Sequence, residues 1–353
     1  MATIDATQQY MLGSFAEAPA DIIEFNRYAR DAGWSDGLPL IPPTEERVRA
    51  MLAAVDADPD EVVAELPPSG ASCTLAKLAA NAVMAGAPPT ALPLLRTALA
   101  AMAEPEFDLH ALNATTGSAV PALVVNGKIR HELEIPFGAG CLGGAEGGAP
   151  ALGRALRLTM RNIAGQRIGV TSQSVYGTPG RVAGIVFGEW EERSPWAPLA
   201  QRRSVPGDAV TVYGAMGTVN ICDIVATTGA LLLEIIGKSL AYPGANGFLT
   251  STVFSEVLVA VNPIWAEIIG LDFPDANEVA ERLWSHAALP LDHFPETHRG
   301  PIEALGRVDE QGQVHLTPTP ADVIVVTAGG LGGLHAAVLH SWGATRSQTR
   351  AVR

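Results

Sequence analysis

Apolar positions recur at helical spacing over residues 20–32 (ADIIEFNRYARDA), and Gly33 follows as a stop signal, which predicts a helix. The next stretch, WSDGLPLIPPTEERV, has a turn dipeptide at Asp36-Gly37 and extended backbone at Pro42-Pro43. Thr44 is placed there to cap a helix with Glu45 and Glu46 in its first turn. Residues 74–85 (TLAKLAANAVMA) are helical by propensity up to Gly86. Pro88 and Pro89 separate them from a second helix at 91–102, and the two form an expected αα-hairpin. HALNATTG and PALVVNGKIRHEL read as extended segments, with a hairpin signal at Asn126-Gly127. A helix is expected over 151–164, and strands over 181–190 and 208–213.

Three strand-loop-helix units fill the rest. A Val-rich strand runs through VYGAMGTVNIC into an apolar helix starting between Asp223 and Thr228. EVLVAVN leads into PIWAEIIG, with Pro263 in a tolerated first-turn position. ADVIVV runs into GGLGG at 329–333 and then an expected helix carrying His335 and His340. Apolar strands that each feed a loop and a helix predict an α/β fold with largely parallel sheets flanked by helices. The polar, Pro- and Gly-rich stretch 171–208 divides the chain into an N-terminal α/β half at 1–170 and a C-terminal one at 209–353.

Composition narrows the function classes. The chain has 353 residues, 48% of them hydrophobic, which is enough for a sizeable core and excludes disorder as the main state. A formal net charge of −14 opposes binding to nucleic acid or anionic lipid. Mean hydropathy is +0.20, yet 36 glycines and 26 prolines break the apolar content, so no membrane-spanning helix is expected. The N-terminus, MATIDATQQYMLG, lacks a secretory pattern, and three scattered cysteines suit a reducing compartment, so a cytoplasmic protein is expected. Homo-oligomerisation is left open.

Six glycines surround one cysteine in FGAGCLGGAEGGAP (137–150). Such a loop is costly to order and lets main chain approach a ligand closely. In an open α/β sheet the ligand crevice lies where strand ends lead into helix N-termini, and Cys73, Cys141 and Cys222 all map to such positions, where a thiol pKa is expected to fall. Cys141 is the preferred nucleophile, with Gly140, Gly143 and Gly144 as backbone donors to an oxyanion or carboxylate. Cys73 is a second catalytic candidate, and His110 and His131 are candidate bases flanking the loop. Asn113 and Thr115 are placed to orient a substrate, Arg154 to clamp a carboxylate, and Gly330 and Gly332 to receive an anion at a helix start. Arg154, Arg157 and Arg161 share one helical face, either solvated or binding a small anion.

No cofactor is predicted. Metal binding is left open, with Asp292, His293, Glu296 and His298 the only dense group of candidate ligands. GGLGG does not meet the spacing of a dinucleotide fingerprint. The residues point to a soluble enzyme acting on a small, anionic organic acid, amide or related polar molecule by cysteine-assisted hydrolysis or lyase chemistry. A thiol-disulfide redox protein and a non-catalytic binder of small anionic metabolites are the alternatives.

At WSDGLPLIPPTEERVRAML, AKLAANAVMAGAPP, GRALRLTMRNIAG, TPGR, RSPWAPL and VTAGGLGG the chain resembles a bacterial family with a WSDGLP(L/V)(I/V)PPT motif, associated with UGSC-type (seleno)proteins. The likeness covers most of the chain and implies an α/β enzyme fold. In place of a UGSC tetrapeptide the chain has SGASC at 69–73.

Overall fold

The computed structural model describes residues 17–143, 147–252 and 254–353. The first half runs α1 (Ile22–Asp31), α2 (Glu45–Leu52), β1 (Val62–Leu66), β2 (Ala71–Thr74), α3 (Leu75–Ala85), α4 (Leu92–Met102), α5 (Leu109–Ala114), β3 (Val120–Asn126), α6 (Ile129–Glu132) and α7 (Ala149–Asn162). The chain continues through α8 (Gly180–Ala183), β4 (Ile185–Gly188), α9 (Leu199–Arg202), β5 (Ala209–Ala215), β6 (Val219–Cys222), α10 (Gly229–Leu240), β7 (Val257–Val261), α11 (Pro263–Asp272) and α12 (Ala276–His286). Last come β8 (Ala288–Pro290), α13 (Glu296–Ala304), β9 (Gln313–His315), β10 (Val323–Thr327), β11 (His335–His340) and β12 (Gln348–Ala351). The expected helix starts use side-chain caps: Thr44, Thr74 and Asn262 each accept from an N–H in the first turn of α2, α3 and α11.

The chain mixes helices and strands as an α/β protein, but its two large sheets are mixed where largely parallel ones were expected. The first has the order β12-β5-β3-β4 and the second β10-β7-β11-β6. Only β3·β4 and β7·β10 run parallel within them; the other pairings are antiparallel. The two sheets pack face to face, and each is covered on its outer side by helices, giving four layers.

Alternation along the strands builds this arrangement. In β3, Leu123 and Val125 face α3, α4 and α7, while Val120, Ala122 and Val124 face the second sheet. In β7, Val257, Val259 and Val261 face α10, α11 and α12, while Leu258 and Ala260 face the first sheet. Each such Val or Leu contributes about 1.5–3 kcal/mol on full burial. Unbroken apolar strands therefore report cover on both faces, and the antiparallel neighbours satisfy that as well as parallel ones do.

Residues 120–215 and 257–340 are related by an approximate two-fold repeat. In each, a strand (β3 or β7) crosses through helices to a parallel neighbour (β4 or β10), and the next strand (β5 or β11) returns antiparallel to the first. The strand after that crosses to the other sheet: β6 pairs with β11, and β12 pairs with β5. The exchange pivots on an antiparallel bridge between Ala215 and Ser341, where Met216 N donates to His340 O at 2.9 Å and Trp342 N to Gly214 O at 2.9 Å.

Tyr213 of β5 clips the sheets together. Its buried hydroxyl lies 2.8 Å from Leu339 O and 3.0 Å from Glu256 O, both carbonyls of the second sheet side. Tyr213→Phe leaves these acceptors short of a donor and should cost about 1–2 kcal/mol in urea unfolding, with the unfolding slope unchanged.

Several local expectations are corrected. His335 and His340 lie on strand β11, because β7 offers that segment a full antiparallel ladder. HALNATTG begins with helix α5, capped by Asp108. Asn126-Gly127 ends β3 and leads to α6 with no hairpin, since the neighbour β4 is parallel. The strand expected at 181–190 is α8 followed by β4, whereas the helix after Cys222 starts at the end of its expected range, capped by Thr228. Among the described residues no helix is long and apolar enough to cross a membrane.

Candidate active site between two glycine turns

The repeat puts Asn126 and Asn262 at equivalent positions, at the end of β3 and just past β7, within the related stretches LVVN and VAVN. Register then equates Glu189 with Ala328, one residue past the Val125↔Gly188 and Val261↔Thr327 pairs. In the first half this position is filled: the buried Glu189 carboxylate accepts from Asn126 Nδ2 at 2.7 Å and from Leu199 N at 2.7 Å. In the second half alanine leaves room, and a cavity of about 290 Å³ opens there.

That cavity is bounded by the turn 139–142, the turn 328–330 with Gly332 and Gly333, and the side chains of Asn262, Asn220 and His335. The two turns are tied by Gly329 N donating to Phe137 O at 2.9 Å. Gly330 lies flat against Ala139, where an added Cβ would come within 3.2 Å of the Ala139 Cα. Asn262 is a positioning group: its Oδ1 caps α11 through Trp265 N, and its Nδ2 donates to His335 O at 2.7 Å, which fixes the start of β11. The His335 ring is exposed and hydrogen-bonded to no described residue.

Cys141 forms part of the wall. The sulfur belongs to the core between the sheets, and burial pushes its thiol up to about 11, against the pull of the nearby N–H groups of Leu142, Cys141 and Gly329. Cys73, wholly buried on β2 against α3, is pushed up to about 12 by the same cause, the opposing charge of Lys77 being weaker. The lowered thiol pKa expected at helix starts is therefore reversed for both. Desolvation outweighs the local amide dipoles because both cysteines are buried.

The backbone donors are also fewer than the glycine count suggests. Cys141 N donates to Gly138 O and Gly143 N to Gly140 O, so both are spent on turns. The Leu142 N–H is turned to the Cys141 sulfur, and those of Gly330 and Gly332 make no hydrogen bond to a described residue and remain to meet a ligand. Gly140 adopts φ +72° and Gly329 φ +110°, backbone that a side chain would strain, and this explains the glycines at these two points. Gly144 lies outside the described residues.

The other candidates are placed elsewhere. Asn113 is buried and ties α5 to Pro67 O at 2.8 Å. Thr115 accepts from Trp342 Nε1 at 2.8 Å. Arg154 holds Asp36 through two bonds of 2.8 and 2.9 Å, an ion pair that keeps the Asp36 carboxyl below its usual range despite partial burial. His110 is exposed on α5, and His131 lies 3.3 Å from Glu192 and edge-on to Phe137. Cys73 and Cys141 occupy cores on opposite faces of the first sheet. Among the described residues no group of three or more His, Cys, Asp or Glu is placed to hold a metal ion. Asn262 and Asn220 escaped the sequence reading; the repeat of LVVN in VAVN was the signal for the first.

Scanned against protein-family models and against curated proteins, the chain finds no match in either.

Proposed function

We propose that the chain is an enzyme acting on a small organic acid, amide or related polar molecule at the Cys141 cavity, by cysteine-assisted hydrolysis or lyase chemistry. The reading is carried by one observation: a thiol, two unspent N–H groups and an imidazole border the same small cavity. At about 290 Å³ the space suits a metabolite at the small end of ligand size.

Its chemistry follows from the thiol pKa. With that pKa near 11, Cys141 meets its substrate protonated, so any attack has to lose the proton as the S–C bond forms. In an amide hydrolysis the carbonyl oxygen is received by the N–H groups of Gly330 and Gly332. The thiol proton passes through His335 to the departing nitrogen, and water then cleaves the thioester. In a lyase reaction the same thiol acts as the proton donor. A turnover screen of small carboxylic acids and primary amides tests the reading. Cys141→Ser and His335→Gln should each lower the rate on any substrate found by roughly 10²-fold or more. Full activity in both variants overturns it.

A further inference from the structure

At the other end of the first sheet, where the chain enters β3 and β4, α7 and the segment 165–181 contribute five arginines, of which an acid pairs with one. Arg154 occupies that acid, Asp36, with two hydrogen bonds. Among the described residues no carboxylate stands within ion-pair distance of Arg157, Arg161, Arg167 or Arg181. This is an unusual concentration of positive charge in a chain whose net charge is −14.

The arginines are partly held by neutral groups. Arg157, 7% exposed, donates from Nε to Arg181 O at 3.0 Å and from Nη2 to Gln166 Oε1. Arg181 donates to Gly117 O at 3.0 Å and Ser172 Oγ at 3.3 Å. Arg157 Nη1, Arg181 Nε, Arg161 Nε and Thr178 Oγ1 are buried atoms with no hydrogen-bond partner. Burial and the Arg181 charge together push the Arg157 guanidinium down to about 9, the direction expected of a cation lacking its counter-ion. A buried, unpaired charge is costly, and proteins retain one where something binds it.

We infer that Arg157, Arg181 and Thr178 form a binding site for a small oxyanion, a phosphate or carboxylate group, separate from the Cys141 cavity. Guanidinium forks and a hydroxyl match the lone pairs of such a group. Segment 165–179 covers the site, and Gly165, Gly169 and Gly177 turn it with φ of +73°, +77° and +75°. Its Val170, Val175 and Tyr176 side chains are exposed, 96% in the case of Tyr176, so the cover has little packing of its own to displace. The inference does not depend on what Cys141 does.

Calorimetric titration of the full chain with inorganic phosphate, and separately with malonate, tests the site in chloride buffer of constant ionic strength. Saturable one-site binding of either anion is expected. Arg181→Gln and Thr178→Val should each weaken it, the first at least tenfold, and Cys141→Ser should leave it unchanged. Phosphate alone binding assigns a phosphoryl ligand, and malonate alone a carboxylate. No saturable binding of either anion, or wild-type affinity in Arg181→Gln, overturns the proposal. Weakening by Cys141→Ser as much as by Arg181→Gln also overturns it, because the anion would then occupy the other cavity.

Discussion

Iodoacetamide at neutral pH should label Cys222 of the native protein well before Cys141, and Cys73 last. Cys222 is exposed, whereas Cys141 and Cys73 are buried with thiols raised to about 11 and about 12. The thiolate is the reacting species, so at pH 8 a thiol of pKa 11 presents about one part in 10³ of it. The sign follows directly. Burial disfavours the charged form, and the labelling rate of Cys141 should climb about tenfold per pH unit from pH 7 until it levels near 11. Peptide mapping by mass spectrometry at several pH values, with a urea-unfolded control that equalises the three sites, measures it. A Cys141 rate that matches Cys222 at pH 7, or that is flat between pH 7 and 9, would mean a preformed thiolate and would remove the protonated-thiol mechanism. A bound substrate analogue should protect Cys141 and leave Cys222 labelling unchanged.

The contrast between that expectation and the one drawn from the glycine loop shows what one-dimensional information carries. Local rules placed Cys141, Gly140, Gly330 and Gly332 at turns beside strand ends, and the structure brings these residues, 190 positions apart from Gly140 to Gly330, to one cavity. Nothing local could say that Cys141 is buried between two sheets, because the second-sheet residues that pack in its cluster come from beyond residue 256. The same limit explains the mixed sheets. Alternating inward and outward apolar positions in β3, β5, β7 and β10 were legible as doubly covered strands, but direction depends on which strand lies alongside. His335–His340 is the clearest instance: its pattern HAAVLH follows a glycine turn, as a helix start often does, and becomes a strand because β7 has an open edge. The arginine face of α7 was legible as a spacing of three and four residues. Whether it faced water or the interior was decided by the segment 165–181 folding over it, a tertiary fact.

Gly153→Ala should be the most damaging single-methyl change in the chain's first half. Alanine is intrinsically the better helix residue by about 1 kcal/mol, so in isolation α7 would gain. In the folded protein the added Cβ would lie 1.8 Å from Ala183 O, 2.9 Å from Ala183 C and 3.3 Å from Gly184 Cα, all of them main-chain atoms. No rotamer change relieves a clash with backbone, so either α7 moves out or the entry to β4 does. Both carry buried groups with them, Leu152 and Leu156 on one side and Ile185 and Val186 on the other. Overpacking of this kind commonly costs 1–3 kcal/mol, and a backbone-to-backbone contact this short places the expected loss at about 3 kcal/mol or beyond. Urea unfolding of Gly153→Ala measures the loss as a lowered midpoint. A neutral Gly153→Ala would mean that α7 does not press on the Ala183–Gly184 backbone, and the seating of Arg157 against Arg181, four residues further along the helix, would lose its support.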